Sequence, residues 1–463
     1  MNKKFLYTSS RVFFIILTFL YVILWYLLYN YYSLFTHWNI PGFTLYRVPE
    51  KLLFNTIIFT LLSVIYILNV LLIKQCKEIS LSMKLSIIIS TALTGIFTIV
   101  THPAGSSDIF NYIISCKLAY FHHLNPYLHT FGQYAGDPLR TCSNTVNMTL
   151  GYGPAWLILS GIPFIFSGFS SIVSMLLCYK TFNALFLISI AVLIYRYEEK
   201  DNKWTSLYLF TGNPLLLYEG VVNGHNDMIM AFFLIFSVFK FRKNSLSSLP
   251  LLTASAMIKF FTLPLIVLYI TEMFKRKWQL NKIILTCILS LLVIIISIIP
   301  FWESGNMLHG LFDGMNSYHT TNGISIFAIL RHYMIINKIK GISRVKTIFA
   351  VLYAVFLMIE IWWIKDRLEL RTIDILLFFL MTISLFYPWH LIPVLTILSF
   401  QRNYGIPYIL IFTFFGMSFY PMKIFLGNFT TLSDFSVYFC LSLLMLLPVI
   451  IFFSGKVIKR NSN

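Results

Sequence analysis

Charge is scarce in this chain. Only 17 of its 463 residues are Asp or Glu, and 11% are charged at all, whereas soluble proteins average roughly 25%. With 58% of its residues hydrophobic, it holds more apolar side chain than an aqueous core can bury. Soluble globular classes are therefore excluded, and the bilayer is the expected solvent. Cysteine is sparse too: six are scattered without a CxxC pair or a Cys/His metal spacing, so neither a disulfide framework nor a zinc module is expected. Cys116 and Cys142 share one long loop, and a bridge between them stays open because spacing says nothing about geometry. No tandem repeat is visible, and no polar stretch is long enough to fold alone. The few acids are outnumbered by 35 Lys and Arg, for a net charge of +18. In a soluble protein that balance would point to nucleic acid. Here the cations fall in short clusters between apolar runs, with no basic stripe interleaved with aromatics, so a nucleic-acid partner is excluded. The clusters read instead as topology signals and contacts to anionic lipid.

What is present is a succession of apolar runs. Met1-Asn2-Lys3-Lys4 precedes a run from Val12 to about Phe35 that lacks a small-residue cleavage site; it reads as a retained first span. Further spans are expected at 52–73, 84–101, 172–195, 204–219, 227–240, 246–258, 260–274, 281–300, 346–364, 371–387, 390–401, 405–421 and 435–454. The fold class is thus all-α, a polytopic membrane bundle of about 12–14 transmembrane helices, several shorter than the ~20 residues of a full span. The whole chain is expected to be one integral-membrane domain. Residues 1–84 form N-terminal spans, 85–240 carry an external loop at 102–170, and 241–463 carry a second at 301–345.

Lys3, Lys4 and Arg11 place the N-terminus inside by the positive-inside rule, and Lys74 and Lys84 then fall inside with Asp108 outside. Reading 154–168, which is interrupted by Pro154, Gly161, Pro163 and Gly168, as an interfacial helix keeps Arg196 and Lys203 inside. Breaking 246–274 near Lys259 does the same for Lys275, Arg276 and Lys277. Lys338, Lys340, Arg344 and Lys346 stay outside, an excess with no account. The sequons Asn147-Met148-Thr149 and Asn428-Phe429-Thr430 also fall outside, without meaning unless the compartment glycosylates.

The long polar stretches, 102–170, 222–227, 259, 301–345 and 387–390, then share one non-cytoplasmic face. Separate polar segments converging on one side suit a catalytic vestibule, whereas a channel would spread them through the membrane. Ser107-Asp108 opens a stretch with apolar residues at 109, 110, 113, 114, 118 and 121, a helical spacing suited to lying on a membrane surface. Asp108 is either an N-terminal cap or a general base held ionised by the helix terminus. Asn223-Gly224-His225-Asn226-Asp227 sits between two apolar runs. It reads as a polar turn, or as a site whose free amides hold an anion. Lys259 either snorkels or meets a phosphate as a compact charge. Tyr387-Pro388-Trp389-His390 is an interfacial aromatic belt or part of the site. Arg331 and His332 are solvated in the second loop or reach the same place.

An aspartate after apolar spans, a helix carrying Tyr112 and then Asn125-Pro126-Tyr127 resemble the integral-membrane glycosyltransferases of the GT-C superfamily. Tyr152-Gly153-Pro154 resembles their Tyr-Pro-Pro motif. The Asn223–Asp227 cluster and the break at Ile258-Lys259 resemble the polyprenol-phosphate-mannose-dependent mannosyltransferases of that group. The resemblance covers about residues 85–400. It implies transfer of a sugar, with mannose favoured, from a polyprenyl-phosphate donor to a glycan or glycolipid hydroxyl on the non-cytoplasmic face. Asp108 would match the essential acid of the first large external loop. Asn223, His225, Asn226, Asp227, Lys259, Arg331, Trp389 and His390 would bind the donor. Tyr112, Asn125, Tyr127 and Tyr152 would position the loop or the acceptor. Two departures stand out. The loop follows the third span rather than the first, so 12–34 and 52–73 look like an addition. Asp108 is followed by Ile109 and Phe110 rather than by a second acid, so no metal and no other cofactor is expected.

The residues fit that chemistry. A lipid phosphate leaves without protonation but gains from cations and amides around it, each such donor contributing ~3–4 kcal/mol. The acceptor hydroxyl must lose a proton, which a single base can take, and one base with an aligned leaving group implies inversion. A transporter or flippase would show internal pseudo-symmetry and charges at mid-membrane depth. A glycan polymerase would lean on loop arginines, and 102–170 has only Arg140.

Overall fold

A computed structural model describes residues 3–461 apart from 39–49, 77, 144, 170, 200–201, 304, 320–322 and 428–432. The second sequon lies outside the described residues. Those that are described are helical or irregular, and Ser33 and Thr101 form one isolated antiparallel bridge. The protein is an all-α polytopic membrane protein. Eight helices are long and apolar enough to cross a membrane, or nine if a pair bent by 118° counts as one span. The expected 12–14 is approached only by including the shorter apolar helices Pro154–Phe166, Ser248–Ile258, Ile326–Ile336 and Pro388–Ser399.

The chain begins with α1 (Lys3–Tyr31), α2 (Glu50–Gln75) and α3 (Leu81–Val100), with α1 packed on both others. The Ser33–Thr101 bridge and the bond from His102 N to Tyr32 O at 2.7 Å tie the ends of α1 and α3 together. Lys180, fully buried, donates to Thr101 O at the same place. The first long loop leaves from that end. It holds α4 (Asp108–Cys116) and leads into α5 (Pro154–Phe166). Next come α6 (Ile172–Tyr197), α7 (Lys203–Thr211), α8 (Pro214–Val222) and α9 (Asp227–Arg242). The 118° bend lies between α8 and α9, so the runs expected as two spans form one broken element around Asn223–Asn226.

The expected break at Lys259 is present, between α10 (Ser248–Ile258) and α11 (Leu265–Lys275). Helix α12 (Leu280–Ile298) ends at the second long loop, which is not irregular: α13 (Asn306–His319) and α14 (Ile326–Ile336) fill most of it. Last come α15 (Ile342–Trp362), α16 (Leu368–Thr382), α17 (Ile392–Ser399), α18 (Arg402–Gly427) and α19 (Asp434–Asn461).

Polarity is inverted relative to a soluble protein. Ile284, Ile288, Leu291, Ile348, Val351 and Leu352 are exposed, while Asn55, Asn213 and Glu219 are fully buried. Lipid offers those polar groups no partner, so the bundle must supply one. Tyr32 and Asn55 pair at 3.0 Å, and Asn213 donates to Thr413 at 2.7 Å.

Charges gather at the two ends. Along α9, Asp227 and Arg242 are about 22 Å apart at 1.5 Å per residue. At the Arg242 end, Arg242 pairs with Glu369, Arg371 with Glu272, and Lys456 with Asp366 and Asp374. The opposite end carries Asp108, Asp227 and Lys259.

Candidate active site

Asp108 starts α4, but its carboxylate is not a cap. Ser107 makes no side-chain cap bond, and the Asp108 amide donates to Ser106 Oγ at 3.2 Å. The carboxylate instead accepts from Tyr152 OH at 3.2 Å and lies 3.4 Å from His225 Nδ1, both through Oδ2. It faces a cavity of about 420 Å³ shared with Tyr152, Lys259, Trp389 and His390. The walls are otherwise largely apolar, with Phe260, Phe261, Phe379 and Phe419 among them. Burial acts to raise the Asp108 pKa. The nearby His225 imidazole, the Lys259 charge and the Tyr152 hydroxyl outweigh it, holding the carboxyl below its ordinary value.

Helix α4 was expected to lie on the membrane surface with one apolar face. It is instead enclosed: Asn111 and Tyr112 are buried along with Ile109, Phe110, Ile113 and Ile114. Its polar side is covered from above, because Ser143 Oγ donates to Asn111 and Tyr152 packs edge-on to Tyr112 at 5.2 Å. Burial also lifts the Cys116 thiol to about 12, and it stays free beside Ser160 at 3.1 Å; Cys142 is free as well.

Lys259 occupies the break between α10 and α11 in extended backbone, φ −148° and ψ 122°. Its ammonium reaches both oxygens of Asp227, at 3.0 and 2.8 Å, and Asp227 is fully buried. The Asn223–Asp227 cluster stands behind the cavity rather than in its lining. Asn223 accepts from Gly105 N at 3.0 Å and donates to Glu219 at 2.9 Å. His225, fully buried, stacks on Trp389 with ring centres 4.2 Å apart. Asn226 is likewise fully buried. Gly224 has φ +69°, and a Cβ there would lie 2.6 Å from Ile109 Cδ1, so the turn requires glycine.

The loop residues act on one another. Tyr127 OH donates to Tyr152 O at 3.0 Å. Asn125 donates to Phe301 O and Glu303 at 2.8 and 3.0 Å, joining the two long loops. His390 accepts from Tyr387 N at 3.1 Å. Arg331 is elsewhere: it lines a second cavity of about 500 Å³ with Lys346, adjoining the first through Met315, Phe379 and Ile383.

Tyr152-Gly153-Pro154 explains its own departure from Tyr-Pro-Pro. Gly153 N donates to Ile258 O at 3.1 Å, a bond proline cannot make. A Cβ at 153 would lie 2.0 Å from Met257 O. Gly153→Ala is therefore expected to force the Lys259 break away from Tyr152, destabilising the fold by about 1–3 kcal/mol and lowering activity at least tenfold. Thermal melting in detergent and an activity assay check this; wild-type values in both would mean the contact is slack.

Several neighbours escaped the sequence reading. Glu219 and Tyr420 support the site, and Asn111, Thr145 and Lys423 line the cavity. Glu219 had a usable signal, an acid within an apolar run. Lys423 had none beyond being a cation near the end of a span.

No curated protein and no solved structure matches this chain. A family model described as alpha-(1->6)-mannopyranosyltransferase, N-terminal domain, matches residues 42–274. That region takes in Asp108, Tyr152, the 223–227 turn and Lys259, and it stops before Trp389 and His390. That match spans half of a chain whose eight apolar helices mark it as multi-pass, and the chain belongs to the alpha-(1->6)-mannopyranosyltransferase family.

Proposed function

We propose that this mannosyltransferase uses a polyprenyl-phosphate-linked mannose, works without a metal, and inverts the anomeric centre. The observation carrying this reading is that Asp108 and Lys259 line one cavity whose walls are otherwise largely apolar. In the reaction, Asp108 Oδ1 takes the proton of an acceptor hydroxyl on a glycan or glycolipid. The hydroxyl oxygen bonds to the anomeric carbon from the side opposite the phosphate. The bond from that carbon to the phosphate oxygen breaks, and polyprenyl phosphate departs with the electron pair. Lys259 stabilises that anion, and the aromatic walls suit the sugar faces and the start of the lipid chain. Trp389 and His390 form the far wall against the sugar.

A GT-C architecture accounts for this arrangement, since loop-borne and break-borne residues meet at one end of the bundle. The basic ends of α9, α11, α16 and α19 meet at the other end, which supports placing the cavity on the non-cytoplasmic face. Family membership favours a transferase over the transporter, flippase and polymerase alternatives.

Purified protein in detergent is expected to transfer mannose from polyprenyl-phosphate mannose in the presence of a chelator, with inverted configuration by NMR. Transfer from a nucleotide sugar alone, or loss of all activity on chelation, would overturn the donor or the metal-independence respectively.

A further inference from the structure

Behind Asp108 lies a second buried carboxylate. Glu219, in α8 four residues before Asn223, is fully buried. Its Oε1 accepts from Tyr420 OH, and its Oε2 accepts from Asn223 at 2.9 Å and lies 3.4 Å from His225 Nε2. The other imidazole nitrogen, Nδ1, is 3.4 Å from Asp108 Oδ2. Glu219, His225 and Asp108 thus form a line, carboxylate to imidazole to carboxylate, running from the bundle interior to the cavity. Trp389 holds the ring by stacking at 18° between planes, and Tyr387 stacks on Trp389 in turn at 11°. Neither His225 nor Glu219 lines the cavity, so neither is placed to touch a substrate.

We infer that Glu219 is a positioning residue for the transfer reaction, acting through His225 to keep Asp108 ionised and aimed. The inference rests on the reading of Asp108 as the base. An imidazolium with one carboxylate 3.4 Å from each of its nitrogens has its charge balanced from both sides, and a fully buried cation needs such partners. The contacts from Tyr152 and His225 both go to Oδ2, which leaves Oδ1 as the oxygen for the acceptor proton in the reading of Asp108 as the base. The charge on Glu219 keeps the proton on His225, and the charge on His225 keeps the proton off Asp108. The other charged groups facing this line are Asp227 on α9 and Lys259 from the break, which are paired with each other. Tyr152 on the loop side and Tyr420 on α18 face it as neutral hydroxyls.

The test is the pH dependence of transfer, with donor KM as the check that the cavity is intact. Because the active form of Asp108 is unprotonated, losing its cationic neighbour raises its pKa and moves the acid limb upward. Glu219→Gln keeps size and hydrogen-bonding capacity but removes the charge. It is expected to shift the acid limb of kcat up by about 1–3 pH units, with donor KM within twofold of wild type. Glu219→Asp keeps the charge and should restore most of the wild-type limb. Tyr420→Phe removes a hydrogen bond to Glu219 without removing charge, and its limb should stay in place. Should Glu219→Gln fail to accumulate in membranes, His225→Gln carries the same expected shift.

An unmoved limb in the charge-removing variant, or equal shifts in Glu219→Gln and Tyr420→Phe, would reduce Glu219 to a structural hydrogen-bond acceptor. The parent reading fails separately: if Asp108→Asn remains active, the base is elsewhere whatever Glu219 does. If Asp108→Asn is inactive and the Glu219 limb does not move, only the present inference fails.

Discussion

Asp108→Asn is expected to lower mannosyl transfer by about 10²–10⁴-fold, the usual contribution of a general base, while the protein still inserts and folds. The carboxamide keeps the size of the side chain and an oxygen for Tyr152 OH, which donates to Asp108 at 3.2 Å in the wild type. It loses basicity and the charge facing His225, whose other nitrogen still faces Glu219. The helix start should be indifferent, because Ser106 rather than Asp108 accepts from the first amide. Donor KM should therefore change little while kcat falls. In the wild type, His225, Lys259 and Tyr152 overcome burial and hold the carboxyl below its ordinary pKa, itself about 3.9 for a free aspartate. The base stays ionised through the mildly acidic range, so no acid limb from this group is expected between about pH 5 and 7. Transfer by Asp108→Asn within threefold of wild type would show that the acid has no chemical role.

The second large effect is expected at Lys259, and the ion pair makes it separable into two parts. Lys259→Met leaves Asp227 fully buried without its cation, which costs about 3–5 kcal/mol, and it also removes the charge proposed to meet the donor phosphate. Stability and donor use should both fall. Adding Asp227→Asn removes the stranded carboxylate. The double variant should recover most of the lost stability, as measured by thermal melting, yet keep a donor KM raised at least tenfold. Recovery of both together would make Lys259 a purely structural cation. Lys259→Arg should be stable but only partly active, because a planar guanidinium satisfies Asp227 without presenting the same compact charge to a phosphate.

Much of the candidate site was legible because ionisable groups are expensive in a membrane. Asp108, Asp227 and Lys259 are ionisable groups beside apolar runs, and each turned out to line the cavity or to pair with a residue that does. Glu219 meets the same criterion, but it sits in mid-run, four residues from the nearest polar cluster at Asn223. The Asn223–Asp227 motif was legible as a turn, and Gly224 marks it. That its side chains point behind the cavity rather than into it was not legible, because a bend of 118° between α8 and α9 decides which way they face. Arg331 lies on α14 and lines the adjoining cavity, a placement that its position in the second loop does not encode.

The sequence by itself determined the solvent, the class of fold and the segments where chemistry is affordable. Hydropathy and charge are sums over local stretches, and the cost of a polar group in lipid is paid wherever that group sits. The alternation of apolar runs, the break at Lys259 and the polar loop after Val100 follow from such local terms. Which residues touch was decided only by the tertiary structure. Gly153 meets Ile258 across 105 residues of chain, Tyr420 meets Glu219 across 201, and Asn125 meets Glu303 across 178. Contacts at that separation depend on how bent helices pack, and no local pattern encodes a helix's rotation about its axis. The cavity, the paired Lys259 and the buried line from Glu219 to Asp108 are products of that packing.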